Sequence, residues 1–253
     1  MYRKRFAVFP AGNRRDAIRI SQQLAGWGTT KFICLADRDF DKEIADWESQ
    51  GFPIFTYANA DLEAMACSTD AFRRVMYEVG SQTKIDGIGG LPALVSKLHE
   101  VVEPVSRLRA ASHYFGWGLK FDEVELAGKI DKDSLTLKLE SYCAALSGTV
   151  ANDPSQATLI AYATGVETVP FEPKCPHGSY PYFRGRDFLS AAGVALRSRA
   201  GTCPKAVAEA SHLEGVVRAA AIPDIRETTW AEMLERTLQG TRATAAGGLG
   251  VTD

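Results

Sequence analysis

Three aspartates in alternate positions follow an apolar run in the first part of this 253-residue chain. The run covers residues 31–36, and Asp37, Asp39 and Asp41 come directly after it. Because successive side chains of a strand point to opposite faces, Asp37 and Asp39 share a face if the extended geometry continues. Carboxylates held together repel unless a cation lies between them, and hard oxygen donors suit Mg²⁺ or Mn²⁺. The pattern therefore predicts a divalent-cation site.

Other acidic residues are candidates for the same site or for structural roles. Asp61 and Glu63 follow the next predicted strand, and Asp16 lies in the first predicted helix. Asp16 is also a first-turn acid that favours the helix macrodipole, while Asp41 and Asp61 suit the N-cap position of a helix. Alternatively, the residues of the acidic run are solvated loop acids or ion-pair partners of Arg38.

The predicted secondary structure places the acidic run at one edge of a sheet. Strands are predicted over residues 5–9, 31–36 and 52–57, with a helix over 16–27 and another that begins at residue 61. This βαβαβ order indicates a parallel sheet with right-handed crossovers. Such sheets bind ligands at the carboxyl ends of their strands, which is where the acidic run lies.

A mostly helical region is predicted after a break at residues 83–90. Helical periodicity recurs in segments 91–109, 135–146, 186–199, 204–221 and 229–238. A proline-containing loop at 170–181 interrupts them. The predicted organisation is an α/β sheet domain at 1–90, a mostly helical C-terminal region at 91–240 and a flexible tail at 241–253.

The bulk composition excludes few classes of function. With 29 basic and 31 acidic residues the formal net charge is −2, which argues against a histone-like basic protein but allows a local basic groove. The five cysteines form no CxxC pair, so neither a zinc ribbon nor a disulfide framework is indicated. Reduced thiols, and the lack of any run of about 18 apolar residues, predict a cytoplasmic protein without membrane association.

Several arginines are candidate contacts for nucleic acid. Arg14 and Arg15 flank the predicted acidic site, and Arg184 and Arg186 belong to a later basic cluster preceded by aromatic residues. Mixtures of arginine and aromatic side chains suit single-stranded or structured RNA. The alternative for the later cluster is an amphipathic helix with a solvated basic face.

The acidic run and the segments after it resemble a known motif order. Residues 36–41 (Ala-Asp-Arg-Asp-Phe-Asp), 55–57 (Phe-Thr-Tyr) and 61–63 (Asp-Leu-Glu) are similar to the Toprim fold of topoisomerases, primases and OLD-family nucleases. More narrowly, they resemble the AriB-type Toprim-like nucleases, the effectors of the PARIS anti-phage defence system. Residues 185–187 are similar to that family's Gly-His-Asp step, with Arg186 in place of the histidine. The resemblance is strong through residue 65 and weaker afterwards.

The resemblance implies an α/β Toprim-like parallel-sheet domain that acts as a metal-dependent nuclease. Asp37 and Asp39 would be catalytic and hold the principal Mg²⁺, or Mn²⁺, while Asp16 and Glu63 complete the site or bridge to a second ion. Two such ions clamp the attacking and leaving oxygens of a phosphodiester. The family also implies an RNA substrate, with tRNA the sharpest expectation, an ABC-type ATPase partner that holds the effector until release, and homodimerisation of the freed effector.

One position departs from the family. Where the family has the Glu of a Glu-Gly turn, a metal ligand and general base, this chain has Ala11 followed by Gly12. Alanine can neither bind a metal nor move a proton. Either the chain is naturally degenerate, or a catalytic Glu was replaced by Ala, which the intact surroundings favour. The alternative function is a non-catalytic Toprim-like module that binds and regulates a partner ATPase.

Overall fold

A small parallel sheet is followed by a series of helices in the computed structural model, which describes residues 7–29, 31–40, 44, 46–47, 52–151, 154–171 and 181–246. Within these residues the fold is mixed α/β and mostly helical, with one two-stranded sheet. Helix α1 spans Arg14–Gly26, strand β1 spans Cys34–Ala36 and strand β2 spans Ile54–Thr56. The later helices are α2 (Leu62–Cys67), α3 (Asp70–Val79), α4 (Gln82–Gly87), α5 (Gly90–Phe115), α6 (Leu139–Ser147), α7 (Gln156–Thr164), α8 (Gly185–Leu196), α9 (Ala210–Arg226) and α10 (Thr229–Ala246), with short 3₁₀ helices at Phe121–Glu123 and Leu126–Lys129.

Helix α1 begins at a local capping motif. Gly12 has a φ of 85°, a backbone conformation that costs glycine little because it lacks a Cβ. The Asn13 side chain then accepts a hydrogen bond from the Asp16 backbone N–H at 2.9 Å, which satisfies one of the unpaired donors of the first turn. The predicted helix at 16–27 is confirmed, with its start moved to Arg14.

Strands β1 and β2 pair in parallel, with Cys34 opposite Ile54 and Ala36 opposite Thr56. All four of these side chains point to one face of the sheet and are buried there, whereas Leu35 on the other face of β1 is 39% exposed. The strands predicted at 31–36 and 52–57 are confirmed as shorter elements. Their parallel pairing brings the carboxyl ends of both strands, and the acidic residues that follow them, to one edge.

The prediction of a strand over residues 5–9 is wrong for the part of this segment that the structure describes. Residues 7–10 are irregular, and the Val8 and Phe9 side chains are 72% and 78% exposed. Successive strand side chains point to opposite faces, so with both Val8 and Phe9 exposed this segment has no buried face to pack against a sheet. Residues 5 and 6, like Asp41, lie outside the described residues.

The largest hydrophobic core contains residues from both sides of residue 90. Helix α5 contributes a buried row that includes Leu94 and Leu98, and helix α8 contributes Phe188. Helix α9 packs against α2, α3 and α8, so that the segment after β2 is held by helices from the C-terminal half. The division into units at 1–90, 91–240 and 241–253 stays a prediction, although α10 continues to Ala246.

Two further expectations concern the environment of the protein. The cysteines that the structure describes are free thiols, and Cys34, Cys67 and Cys143 are buried. None of the described helices combines the length and the apolar character that crossing a membrane requires.

Candidate acidic site and its cleft

Asp37 lies directly after β1 in a cluster of charged side chains. Burial and the negative charges of Asp39 and Glu63 raise the pKa of Asp37 to about 6, against the opposing effect of Arg14 and Arg184. The structure therefore brings together three predicted carboxylates and two predicted phosphate contacts. Because like charges disfavour ionisation of a buried carboxyl, a bound cation at this position would relieve the repulsion.

Asp39 is fixed by its backbone as well as by its side chain. Its φ of 48° is a left-handed conformation, which is uncommon outside glycine although aspartate tolerates it. Its N–H donates to the Ala60 carbonyl at 2.7 Å, and its own carbonyl accepts the Tyr182 hydroxyl. Arg14 Nη1 donates to Asp39 Oδ2 at 3.0 Å. Because the backbone turns here, the side-chain alternation of an extended strand does not continue through Asp39.

Asp61 occupies the N-cap position of α2, which confirms its structural interpretation. Its carboxylate accepts the Ala64 N–H at 2.7 Å and also the Gly185 N–H at 3.1 and 3.2 Å. Gly185 is the first residue of α8, so a single carboxylate serves the N-termini of two helices. Burial raises the pKa of Asp61 to about 7, an effect that the two backbone donors oppose and the Glu63 charge reinforces.

Asp61→Ala is expected to lower the free energy of unfolding by about 1–3 kcal/mol, because it leaves buried N–H groups at two helix starts without an acceptor. Urea denaturation at neutral pH measures the change. Asp61→Asn retains one acceptor oxygen and should lose less. The exposed Asp133 gives a matched control, and an Asp61→Ala loss no larger than that of Asp133→Ala would contradict the capping role.

Glu63 and Asp16 have different surroundings. Glu63 Oε1 lies 3.2 Å from Arg218 Nη1, and its side chain is 18% exposed beside the acidic pair. Asp16 accepts the Asn13 side-chain amide at 2.8 Å and lies 3.4 Å from Arg19. These contacts of Asp16 are those of a first-turn helix acid, whereas Glu63 acts electrostatically on the predicted metal ligands.

The four predicted arginines are distributed over different surfaces. Arg14 and Arg184 line a cleft of about 620 Å³ that also contains Asp39. Arg186 lines a separate cleft of about 510 Å³ and lies 3.6 Å from Glu214. Arg15 is exposed on α1. Proximity to the acidic pair therefore singles out Arg14 and Arg184.

Asn59 is a site residue that the sequence did not indicate. It is 1% exposed, and its side-chain oxygen accepts the N–H groups of Ala60 at 2.8 Å and of Phe183 at 3.1 Å. Its amide donates to the Pro181 carbonyl at 3.2 Å. These bonds hold the segment before α8 against the end of β2, which places Arg184 beside the acidic cluster. In the sequence, the one hint of this role is that an asparagine follows shortly after a predicted strand.

Arg109 and Asp187 form the cleft's buried support, and sequence reasoning missed Arg109. Arg109 donates to Asp187 at 2.7 and 2.9 Å, with side chains only 13% and 10% exposed. The Arg109 guanidinium also lies over the Phe121 ring, 4.3 Å from its centroid. Arg184 donates to Asp122 at 3.0 Å on the same wall, which helps to hold the pKa of Asp122 below its ordinary value.

Asp37 and Asp39 place two hard oxygen donors at one edge of the sheet, close enough for their charges to interact. Over the ranges that the structure describes, no group of three or more His, Cys, Asp or Glu side chains is arranged to hold a metal ion. Magnesium is commonly bound by one or two carboxylates together with waters and substrate phosphates. Asp37 and Asp39 could supply the carboxylates. Ala11 precedes the Gly12 turn, and α1 after that turn begins with the Arg14 that contacts Asp39.

Comparisons with protein-family models, with curated proteins and with solved structures give no match for this chain.

Proposed function

We propose that this chain is a Toprim-like, metal-dependent nuclease effector of an anti-phage defence system, acting on RNA and inactivated at Ala11. The observation that supports it most directly is the position of Asp37 and Asp39 directly after β1, where burial and the charges of Asp39 and Glu63 also raise the pKa of Asp37. These groups lie where the carboxyl ends of β1 and β2 meet, and that edge of a parallel sheet is the usual position of a ligand.

Asp37 and Asp39 would hold Mg²⁺ or Mn²⁺, which supplies charge neutralisation of phosphodiester oxygens and a lower pKa for bound water. Arg14 and Arg184 both line the cleft next to Asp39, and guanidinium groups bind phosphate through paired hydrogen bonds. Ala60 and Tyr182 hold the backbone of Asp39, so its main chain stays in place when Arg14 turns to a phosphate.

The ion pairs of the site favour a second candidate function. Arg14 neutralises Asp39 and Arg218 neutralises Glu63 within the chain itself, and Ala11 supplies no carboxylate. These features suit a non-catalytic Toprim-like module that binds and regulates a partner ABC-type ATPase. The ATPase, the tRNA substrate and a homodimer remain expectations from the resemblance.

The Ala11→Glu protein is expected to cleave total tRNA with Mg²⁺ or Mn²⁺, while the parent chain leaves it intact. A positioned general base contributes about 10²- to 10⁴-fold in rate, and glutamate at this turn would lie near the acidic pair. Gel analysis of tRNA and of plasmid DNA, with each cation or with EDTA, measures the activity and separates RNA from DNA.

Two controls sharpen the experiment. Ala11→Gln adds the same bulk without the charge and should stay inactive, and Asp37→Ala in the Ala11→Glu background should abolish cleavage. If the folded Ala11→Glu protein, free of any partner, cleaves neither nucleic acid, the regulatory module becomes the better account.

A further inference from the structure

The cleft beside Asp39 combines an aromatic wall with arginines that are each paired with a carboxylate, Arg14 with Asp39, Arg184 with Asp122 and Arg109 with Asp187. Arg14, Arg109 and Arg184 line it, together with Phe121 from the segment after α5. Its volume of about 620 Å³ is within the range of pockets that hold small organic ligands, roughly 300–1,000 Å³. A cleft of this size has room for a ligand as large as one nucleotide.

The Phe121 ring is held in place by a neighbouring side chain. The Arg109 guanidinium lies over its ring at 4.3 Å, and Arg109 is itself fixed by two hydrogen bonds to Asp187. Because this stack is anchored in the core next to α8, the ring keeps its orientation without a ligand. Arg109 covers one face of the ring, so a nucleobase would stack on the part of the ring that lines the cleft, as bases do in proteins that bind single strands.

The wall at the end of α5 is open. Gly116 and Gly118 line the cleft, and both have a φ of 67°. Among the described residues, no atom lies within 4 Å of a Cβ added at either position. A planar base can therefore approach this wall without meeting a side chain from these two residues.

We propose that this cleft binds a single unpaired nucleotide, with its phosphate at Arg14 and Arg184 and its base against Phe121. The inference rests on the proposed function, because it places that nucleotide next to the phosphodiester at Asp37 and Asp39. A base in a duplex is covered by its stacked neighbours, so only a single-stranded, looped or extruded nucleotide can reach the ring. The substrate class is therefore unpaired nucleic acid.

Binding in EDTA tests this inference without turnover. Fluorescence anisotropy with the parent chain compares a short single-stranded RNA with the same sequence in a blunt duplex. The single strand should bind at least about 10-fold more tightly, the scale of one base stacked on an aromatic ring. Adenosine monophosphate should displace it, and inorganic phosphate at equal ionic strength should displace it less.

Substitutions in the cleft identify the groups responsible. Phe121→Leu keeps an apolar side chain but removes the ring, and should weaken single-strand binding about 10-fold. Phe121→Tyr should restore it, which separates stacking from a folding defect. Arg184→Gln should weaken binding of both the single strand and adenosine monophosphate, while Arg197→Gln, on the exposed end of α8 outside this cleft, should not.

Equal affinity for the duplex, or unchanged single-strand affinity after Phe121→Leu, would overturn the inference. The two failures are distinguishable, because binding in EDTA does not require cleavage. An Ala11→Glu protein that cuts RNA while Phe121→Leu binds normally would overturn only the cleft inference. An inactive Ala11→Glu protein whose parent prefers single strands through Phe121 would overturn only the nuclease.

Discussion

Asp37→Asn is expected to stabilise the protein by about 1–2 kcal/mol at pH 8 and to leave its stability nearly unchanged at about pH 3. The pKa of Asp37 is raised from 3.8 to about 6 in the folded protein by burial and by the neighbouring charges of Asp39 and Glu63. The folded state therefore binds this proton more tightly than the unfolded state does. Asparagine has nearly the same shape but never carries the charge.

The sign of the pH dependence follows from the two pKa values. Below the unfolded value the carboxyl is protonated in both states, so it costs nothing. As the pH rises from about 3 to about 6, the unfolded state ionises first and the folded protein loses stability. Above the folded value the cost is complete, and Asp37→Asn removes it.

Urea denaturation of the parent and Asp37→Asn proteins at about pH 3, 6 and 8 checks this prediction. Asp133→Asn, at an exposed position, should show no comparable trend. A stability difference that is the same at all three pH values would contradict the electrostatic origin. At pH 8, Mg²⁺ should raise the Tm of the parent by binding the folded state, and should not raise that of Asp37→Asn.

Gly185→Ala is expected to lower the free energy of unfolding by about 2–4 kcal/mol, since it adds a methyl group where two helices touch. A Cβ at this position would lie 2.3 Å from Glu63 Cβ and 2.4 Å from the Ala64 backbone nitrogen. Neither atom is at the end of a flexible side chain. Helices α2 and α8 would have to separate, and the Gly185 hydrogen bond to Asp61 would weaken with them.

Gly215 provides the matched control for this substitution. It lies inside α9, and no described atom is within 4 Å of a Cβ built there. Gly215→Ala should stabilise the protein by up to about 1 kcal/mol through its higher helix propensity. Chemical denaturation of both variants measures the pair, and a similar small change in each would show that the helices are not in close contact at Gly185.

Local patterns in the sequence predicted the elements that carry the acidic residues. The apolar run before Asp37 gave β1, the next run gave β2, and Asp61 was identified as a cap because N-capping is decided within a few residues. The strand at 5–9 had a similar apolar run, yet Val8 and Phe9 are exposed. Whether such a run forms a strand depends on a neighbour that pairs with it, which periodicity does not report.

The site itself was only partly predictable, because its support comes from distant residues. Arg184 and Arg186 look equivalent in sequence, but Arg184 precedes α8 and reaches the acidic cleft, while Arg186 lies within the helix and contacts Glu214. The ion pair of Arg109 with Asp187 joins positions 78 apart in the chain. Spacing patterns extend over one or two helical turns and cannot indicate such a pair.

The shared cap at Asp61 also has a consequence for the order in which the site forms during synthesis. Its second donor, Gly185, lies 124 positions after Asp61 in the chain. Phe183, which donates to Asn59, likewise lies 124 positions after its partner. A ribosome that adds about 5–20 residues per second makes that segment roughly 6 to 25 s after Asp61. During this interval Asp37 and Asp39 exist without the segment that brings Arg184 and Tyr182 to them. The nascent chain therefore cannot assemble this site before its C-terminal half has been made.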